Sequence, residues 1–326
     1  MHTQNGKAGC PSSLFSEGCN GVMHSFQLAV GIATIGRPAI LAETLSELRR
    51  QTISPARIVV CATKPADVKG IAESFPDVEI LISTPGLTRQ RNAILEALRD
   101  CDGVMFFDDD FLPAPSYLEA VRWLFCYDPD IVMVTGAVIA DGIGGQGFSP
   151  AEGRRRLGRD ALLDASATSA LKAHWVQAFK PTYSGYGCNM AARLQPVFDN
   201  RVRFDERLPL YGWLEDVDFS RAMAAHGRIV LTQAARGVHL GVKSGRQSGL
   251  RLGYSQIANP LYLLRHGRYS TLKAARLIGQ NLLMNMTRSF RPEDYIDRRG
   301  RLRGNVLALR DLFTGSLSPG AILDLK

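Results

Sequence analysis

The stretch GVMFFDDDFLP, residues 103–113, runs from an apolar segment into three consecutive carboxylates, Asp108, Asp109 and Asp110, and closes on an aromatic residue, a leucine and a proline. Its first half has strand character, and the residues before it repeat the pattern. FQLAVGIAT (26–34), ARIVVCAT (56–63) and VEILIS (78–83) are short apolar runs of the same kind. Between them AILAETLSELRRQ (39–51), VKGIAESF (68–75) and LTRQRNAILEALRD (87–100) space their apolar groups at helical intervals. Four strands alternating with three helices predict βαβ units and an α/β fold with a mostly parallel, Rossmann-like sheet covered on both faces. Ligands of such sheets bind beyond the carboxyl ends of the strands. That rule puts Thr34, Thr63, Thr84 and the three aspartates on one rim.

Past residue 113 the pattern loosens. APSYLEAVRWLF (114–125) reads as helix, DIVMVTGAVI (130–139) as strand, and the Gly- and Arg-rich run 141–160 as a loop suited to moving over a ligand. VRFDERLPLYGWLEDVDFSRAMAAHG (202–227) leads into a further helix and RIVLTQAARGVHLG (228–241) into a last strand. From 246 the chain is mainly helical, and Leu272, Ala275, Ile278, Leu282 and Met286 are expected to form one apolar stripe among Arg and Lys. Residues 1–24 read as a flexible leader.

The 326 residues suffice for a sizeable core, and the net charge of +8 is concentrated. Residues 246–303 hold twelve Arg or Lys and three Asp or Glu, a net +9 that leaves −1 for the rest. A basic surface at one end points to an anionic partner, a membrane face or a phosphate-bearing ligand. The six cysteines lack CxxC spacing, which argues against disulfides and zinc. No segment reaches the roughly 18 to 20 apolar residues of a membrane span, and the first residues lack a secretory signal's apolar core. A cytoplasmic protein is expected.

An isolated buried carboxylate costs many kcal/mol or protonates, so the aspartates need water or a cation. On the residues alone two readings stand. One is a solvated turn with an Asp capping the next helix; the other, favoured by the rim position, is an oxygen site for Mg²⁺ or Mn²⁺. In WLEDVDF, Glu215, Asp216 and Asp218 either complement a helix dipole or include a general base under the cover of Trp213 and Phe219. Asp218 is expected to serve helix or loop structure. His239, in GVHLG, is either structural or an imidazole ligand beside carboxylates.

In this order, LAVGIAT..RP, TPGLTRQRNAILEAL, FFDDDFLPAPSYLEAV, YGCNMAAR, YGWLEDVDFSRAMAAHG and GVHL resemble the family 2 glycosyltransferases of the GT-A fold, the bacterial polysaccharide-building members in particular. The resemblance spans about residues 27–242. It implies a GT-A domain with a nucleotide-sugar-binding half (25–112), an acceptor-binding and catalytic half (113–245) and a basic, mainly helical C-terminal region (246–326). It makes Asp108–Asp110 the DxD-type motif, with Asp110 the direct metal ligand, Asp108 near the ribose or metal, and Asp109 beside them on the donor. Arg91 and Asn92 match the Arg-Asn pair that approaches the nucleotide, and Thr34 and Arg37 fall near base and ribose. Asp216 matches the catalytic base, Glu215 a contact to either sugar, and His239 an additional metal ligand. The expected donor is a UDP-sugar. The run IVVCATKP lacks the family's uracil-reading Asp, so Thr63, Lys64 or backbone groups would read the base, and dTDP- or GDP-sugars stay open.

The expected reaction is inverting transfer to a saccharide hydroxyl, with Mn²⁺ or Mg²⁺ on the leaving diphosphate and Asp216 as base. The acceptor expected is polyprenyl-diphosphate-linked, with residues 246–303 on an anionic membrane at the inner face of the plasma membrane. A nucleotidyltransferase acting on sugar phosphates is the alternative, but ATIGRP offers one Gly and no Lys where a phosphate loop would stand. A non-catalytic anionic-ligand-binding protein explains the basic tail and not the acidic clusters. No nucleic acid is expected as partner. A glycoside hydrolase would need a carboxylate pair without metal.

Overall fold

A computed structural model describes residues 26–164, 179–243 and 248–325, so the expected leader (1–24) lies outside the described residues. The first half alternates as the sequence predicts: β1 (Leu28–Ala33), α1 (Pro38–Leu48), β2 (Ile58–Ala62), a 3₁₀ turn (Pro65–Val68), α2 (Ile71–Ser74), β3 (Val78–Ile82), α3 (Leu87–Ala97) and β4 (Gly103–Asp108). Then come β5 (Phe111–Pro113), α4 (Tyr117–Tyr127), β6 (Ile131–Asp141), α5 (Pro150–Asp164), β7 (Phe179–Pro181), β8 (Asn189–Arg193), α6 (Leu194–Asp199), α7 (Glu215–Met223) and β9 (Arg228–His239). Three helices close the chain: α8 (Gly249–Arg265), α9 (Thr271–Arg288) and α10 (Arg298–Thr314).

One sheet runs in the order β3-β2-β1-β4-β8-β6-β9-β5, with β7 also on β9. Strands β1 to β4 pair in parallel. Beyond them the sheet is mixed: β6 and β9 pair in parallel, whereas β8 lies antiparallel between β4 and β6, and β5 and β7 pair antiparallel with β9. Strict alternation supplies two cores. Val30, Ile32, Met105 and Phe107 face one layer of helices, and Ala29, Val59, Val104 and Phe106 the other.

The expected loop at 141–160 is half helix, because α5 begins at Pro150. Its Gly- and Arg-rich composition hides what holds it: Arg154 pairs across to Glu43 and to Glu47 of α1. The expected single stripe on α9 also divides. Ile278 and Leu282 pack on the core of the C-terminal helices, whereas Leu272, Ala275 and Met286 are exposed. Among the described residues no helix is long and apolar enough to cross a membrane. Helix α8 braces the body instead: Asn259 Nδ2 donates to the Trp213 carbonyl (2.7 Å) and the Tyr262 hydroxyl to Asp205 (2.6 Å).

Candidate active site

Asp108 closes β4, and the next two aspartates form the turn into β5. In the β5–β9 ladder Phe111 stands opposite His239, and in the β6–β9 ladder Asp141 does. Sheet register therefore sets His239 between Asp110 and Asp141. Its Nε2 lies 3.4 Å from Asp110 Oδ1 and 3.9 Å from Asp108 Oδ2, while Nδ1 donates to Asp141 Oδ1 (2.9 Å). One ligand atom from each of Asp108, Asp110 and His239 falls within 4.8 Å of the others.

Each of these groups is held from behind. The Tyr186 hydroxyl donates to Asp141 Oδ2 (2.7 Å), the Val242 amide to Asp110 Oδ2 (2.8 Å), and Arg91 Nη2 to Asp108 Oδ1 (3.2 Å). Burial opposes a charged imidazole, but Asp110 and Asp141 outweigh it and raise the His239 pKa to about 10. Burial likewise opposes ionised Asp110, yet His239 and Arg37 hold it below the usual range. Two carboxylates and an imidazole, each fixed by a neighbour, fit a divalent cation such as Mn²⁺ or Mg²⁺.

Asp109 turns away from this cluster and is fully buried. Thr34 Oγ1 donates to its Oδ2 (2.6 Å), Arg37 Nη2 stands 2.5 Å from Oδ1, and Thr44 Oγ1 donates to its carbonyl (2.8 Å). Burial drives its pKa up, to about 7, against the pull of Arg37. Thr34, Arg37 and Asp109 thus brace the β1 loop against the turn, and Arg37 also reaches within 3.7 Å of Asp110.

Arg91, 1% exposed, joins the metal-type cluster to the second acidic group. Besides Asp108, it donates to Glu215 Oε1 (2.5 Å) and to the Gly187 carbonyl (2.6 Å). Burial raises the Glu215 pKa, and the Arg91 guanidinium works against that rise. Glu215 and Asp216 open α7 after a loop with left-handed backbone at Leu210, Gly212 and Leu214 (φ 59°, 60° and 71°). At the two leucines this geometry costs about 1–3 kcal/mol each. Asp216 is half-buried, and its oxygens accept from the Gly187 amide (2.9 Å) and the Val217 amide (2.8 Å). Burial raises its pKa above the ordinary aspartate value. A Cβ at Gly187 would stand 3.1 Å from Glu215 Oε1 and 3.3 Å from Asp216 Oδ2, so a bare backbone is what lets both acids approach.

Asn92 is not brought to this cleft. It is held instead by the backbone ahead of α7, where Nδ2 donates to the Phe204 carbonyl (3.0 Å) and Oδ1 accepts from the Phe204 amide (3.0 Å). An acid does stand at the rim after β2, contrary to the reading of IVVCATKP: Asp67, four residues beyond Thr63. Its carboxylate accepts from the amides of Gly36 (2.9 Å), Thr63 (3.1 Å) and Lys64 (3.1 Å) and from Thr63 Oγ1 (2.6 Å). It is therefore committed to holding two rim loops together. Sequence reasoning missed Asp141, Tyr186 and Gly187; the glycines flanking Tyr186 ahead of β8 were the available signal.

Residues 26–239 match the family described as Glycosyltransferase like family 2. No curated protein sequence matches the chain. Among solved structures it is similar to S. aureus TarS residues 1–349 in complex with UDP-GlcNAc, with a TM-score of 0.53, 15% identity and coverage of 90% of this chain and 82% of that one. It is similar also to GalNAc-T7 with UDP, GalNAc and Mn²⁺, with a TM-score of 0.52, 13% identity and coverage of 92% and 57%. Against a longer S. aureus TarS chain the TM-score is 0.48 at 16% identity; the match covers 81% of this chain and spans 44% of that one.

Proposed function

This chain belongs to the glycosyltransferase-like family 2 and is a glycosyltransferase of the GT-A fold, and from that premise we propose that it moves a sugar from a UDP-sugar, with inversion, to a hydroxyl of a lipid-linked saccharide. The observation that carries this reading is the connection of the two acidic clusters: Arg91 touches Asp108 and Glu215, and Gly187 touches Arg91 and Asp216. A group binding at Asp108, Asp110 and His239 thereby shares a cleft with a candidate base. Residues 25–112 supply the donor half and 113–245 the acceptor half.

Asp108, Asp110 and His239 are assigned to hold Mn²⁺ or Mg²⁺, which when bound supplies Lewis-acid stabilisation of the leaving diphosphate's charge. Asp216 removes the proton from the acceptor hydroxyl; the Gly187 and Val217 amides fix its orientation, and partial burial makes it a stronger base than an exposed aspartate. A single base opposite the leaving group gives direct displacement and inverted configuration. Arg91 positions Glu215 and Asp108, and Thr34 and Arg37 hold the turn. That TarS binds UDP-GlcNAc and GalNAc-T7 binds UDP supports uracil as the base, with exposed Lys64 and half-buried Thr63 at the same rim. An acceptor on a polyprenyl diphosphate, in cell-surface polysaccharide synthesis, fits the basic C-terminal region and a peripheral site on a membrane.

Release of nucleotide diphosphate from a panel of UDP-, GDP- and dTDP-sugars tests this reading. Hydrolysis confined to a UDP-sugar, requiring Mn²⁺ or Mg²⁺ and abolished by EDTA, is expected. Undiminished hydrolysis in EDTA sinks the metal assignment.

A further inference from the structure

Helix α7 carries a second buried acid, Asp218, two residues and so about 200° round from Asp216. It is 7% exposed and lines a cavity of about 800 Å³ between α3, the 203–207 segment and the end of α8. Among the described residues none hydrogen-bonds or ion-pairs with its carboxylate. Across the same cavity Arg268 has a buried Nη1 without a partner. The other charges of the lining are satisfied, Arg89 by Glu206, Arg203 by Glu96 and Arg207 by Asp205. Phe204 is the wall shared with the candidate active site: it lines the cavity, stacks on Phe219 at 4.1 Å, and carries the Arg91 guanidinium 5.5 Å from its ring centre.

The Asp218 carboxylate opens into the cavity with burial around it opposing its charge, and a merely structural acid would have been tied to the Arg268 guanidinium across from it. We propose that this cavity is a second binding site, separate from the transfer centre, for a neutral saccharide whose hydroxyls donate to Asp218 and accept from Arg268. The four arginines are balanced by Glu96, Asp205, Glu206 and Asp218, so the lining has no net charge to recruit a phosphate or a cation. What it offers is one acceptor and one donor in a lining without net charge, the complement of a sugar's hydroxyls. Its volume lies within the roughly 300–1,000 Å³ of small-molecule sites. The inference deepens the glycosyltransferase reading, since a saccharide is what such an enzyme elongates, and it gives Asp218 a binding role in place of the structural one its sequence context suggests.

Saturation-transfer NMR on the full chain with maltotriose, cellotriose, chitotriose and mannotriose tests it, with UDP and Mn²⁺ present to fill the catalytic cleft. At least one trisaccharide should bind, and Asp218→Asn and Arg268→Ala should each weaken it at least tenfold, while donor hydrolysis without acceptor is retained. Because the folded state raises the Asp218 pKa to about 6, through burial, Asp218→Asn should also raise the Tm at pH 8 and have little effect at pH 4. Binding by none of the four, or binding that both variants leave intact, overturns the proposal, as does a fall in Tm in Asp218→Asn with sugar binding unchanged. Loss of donor hydrolysis in the wild-type protein would instead count against the catalytic reading alone.

Discussion

Asp216 combines three properties that its neighbours lack together: partial exposure, two backbone amides fixing its oxygens, and a pKa raised by burial. A base must be ionised to accept a proton, so transfer should fail as pH falls through that raised pKa. The acid limb of kcat/KM should therefore lie above the range of an exposed aspartate. Asp216→Asn keeps the shape and the amide contact to Oδ1, and should reduce transfer by about 10² to 10⁴-fold while UDP and Mn²⁺ still raise the Tm. A variant that turns over normally would remove Asp216 from the role. Asp108, Asp110 and His239 could be picked out of the sequence because carboxylate and imidazole carry ligand preference wherever they sit. Asp109 could not be told from its neighbours, since which way a turn aims a side chain depends on partners such as Thr34 and Arg37, which lie over 70 residues earlier.

At the scale of elements, β1 to β4 were legible because strands buried on both faces read as continuous apolar runs. Helix α5 was not, because its Gly- and Arg-rich sequence hides what it docks on: Arg154 on Glu43 and Glu47 of α1, and Leu157 in an apolar cluster with Leu112, Val238 and Leu240. The position of β8 was equally hidden, as nothing in NMAAR states a direction. Helices α8 and α10 cross at two glycines: a Cβ on Gly253 would lie 2.0 Å from the Arg301 carbonyl oxygen, and one on Gly304 2.1 Å from that of Leu250. The obstruction is backbone, so it cannot swing aside. Gly304→Val should destabilise the chain by about 1–3 kcal/mol or more in urea unfolding. Helix α8 also supports the segment before α7 through Asn259 and Tyr262, so donor hydrolysis should decline with stability. Wild-type stability in Gly304→Val would refute the close crossing, and lost stability with full hydrolysis would show that α8 does not support the catalytic loop.

For the whole molecule, the positive charge and the exposed apolar groups collect on the outer helices. On α9, Leu272, Leu283 and Met286 repeat at helical spacing on one face, and Phe290 follows it, while α10 presents Val306 and Phe313 seven residues apart. Leu272, Phe290 and Phe313 are 80%, 81% and 88% exposed, well beyond what solvated helices need. Exposed Arg276, Arg288, Arg291, Arg303 and Arg310 lie among them. Apolar groups that can enter the acyl boundary and cations worth about 1 kcal/mol each at an anionic surface are the grounds on which a membrane is proposed as the partner of this face. The full chain should sediment with phosphatidylglycerol vesicles, less with phosphatidylcholine vesicles, and less at high salt. Combining Leu283→Ser, Phe290→Ser and Phe313→Ser should weaken that binding at least tenfold while leaving nucleotide-sugar hydrolysis in solution intact, because none of the three touches the cleft. Equal sedimentation of the variant and the wild type would show that these helices face water, and the acceptor would then have to be sought in solution.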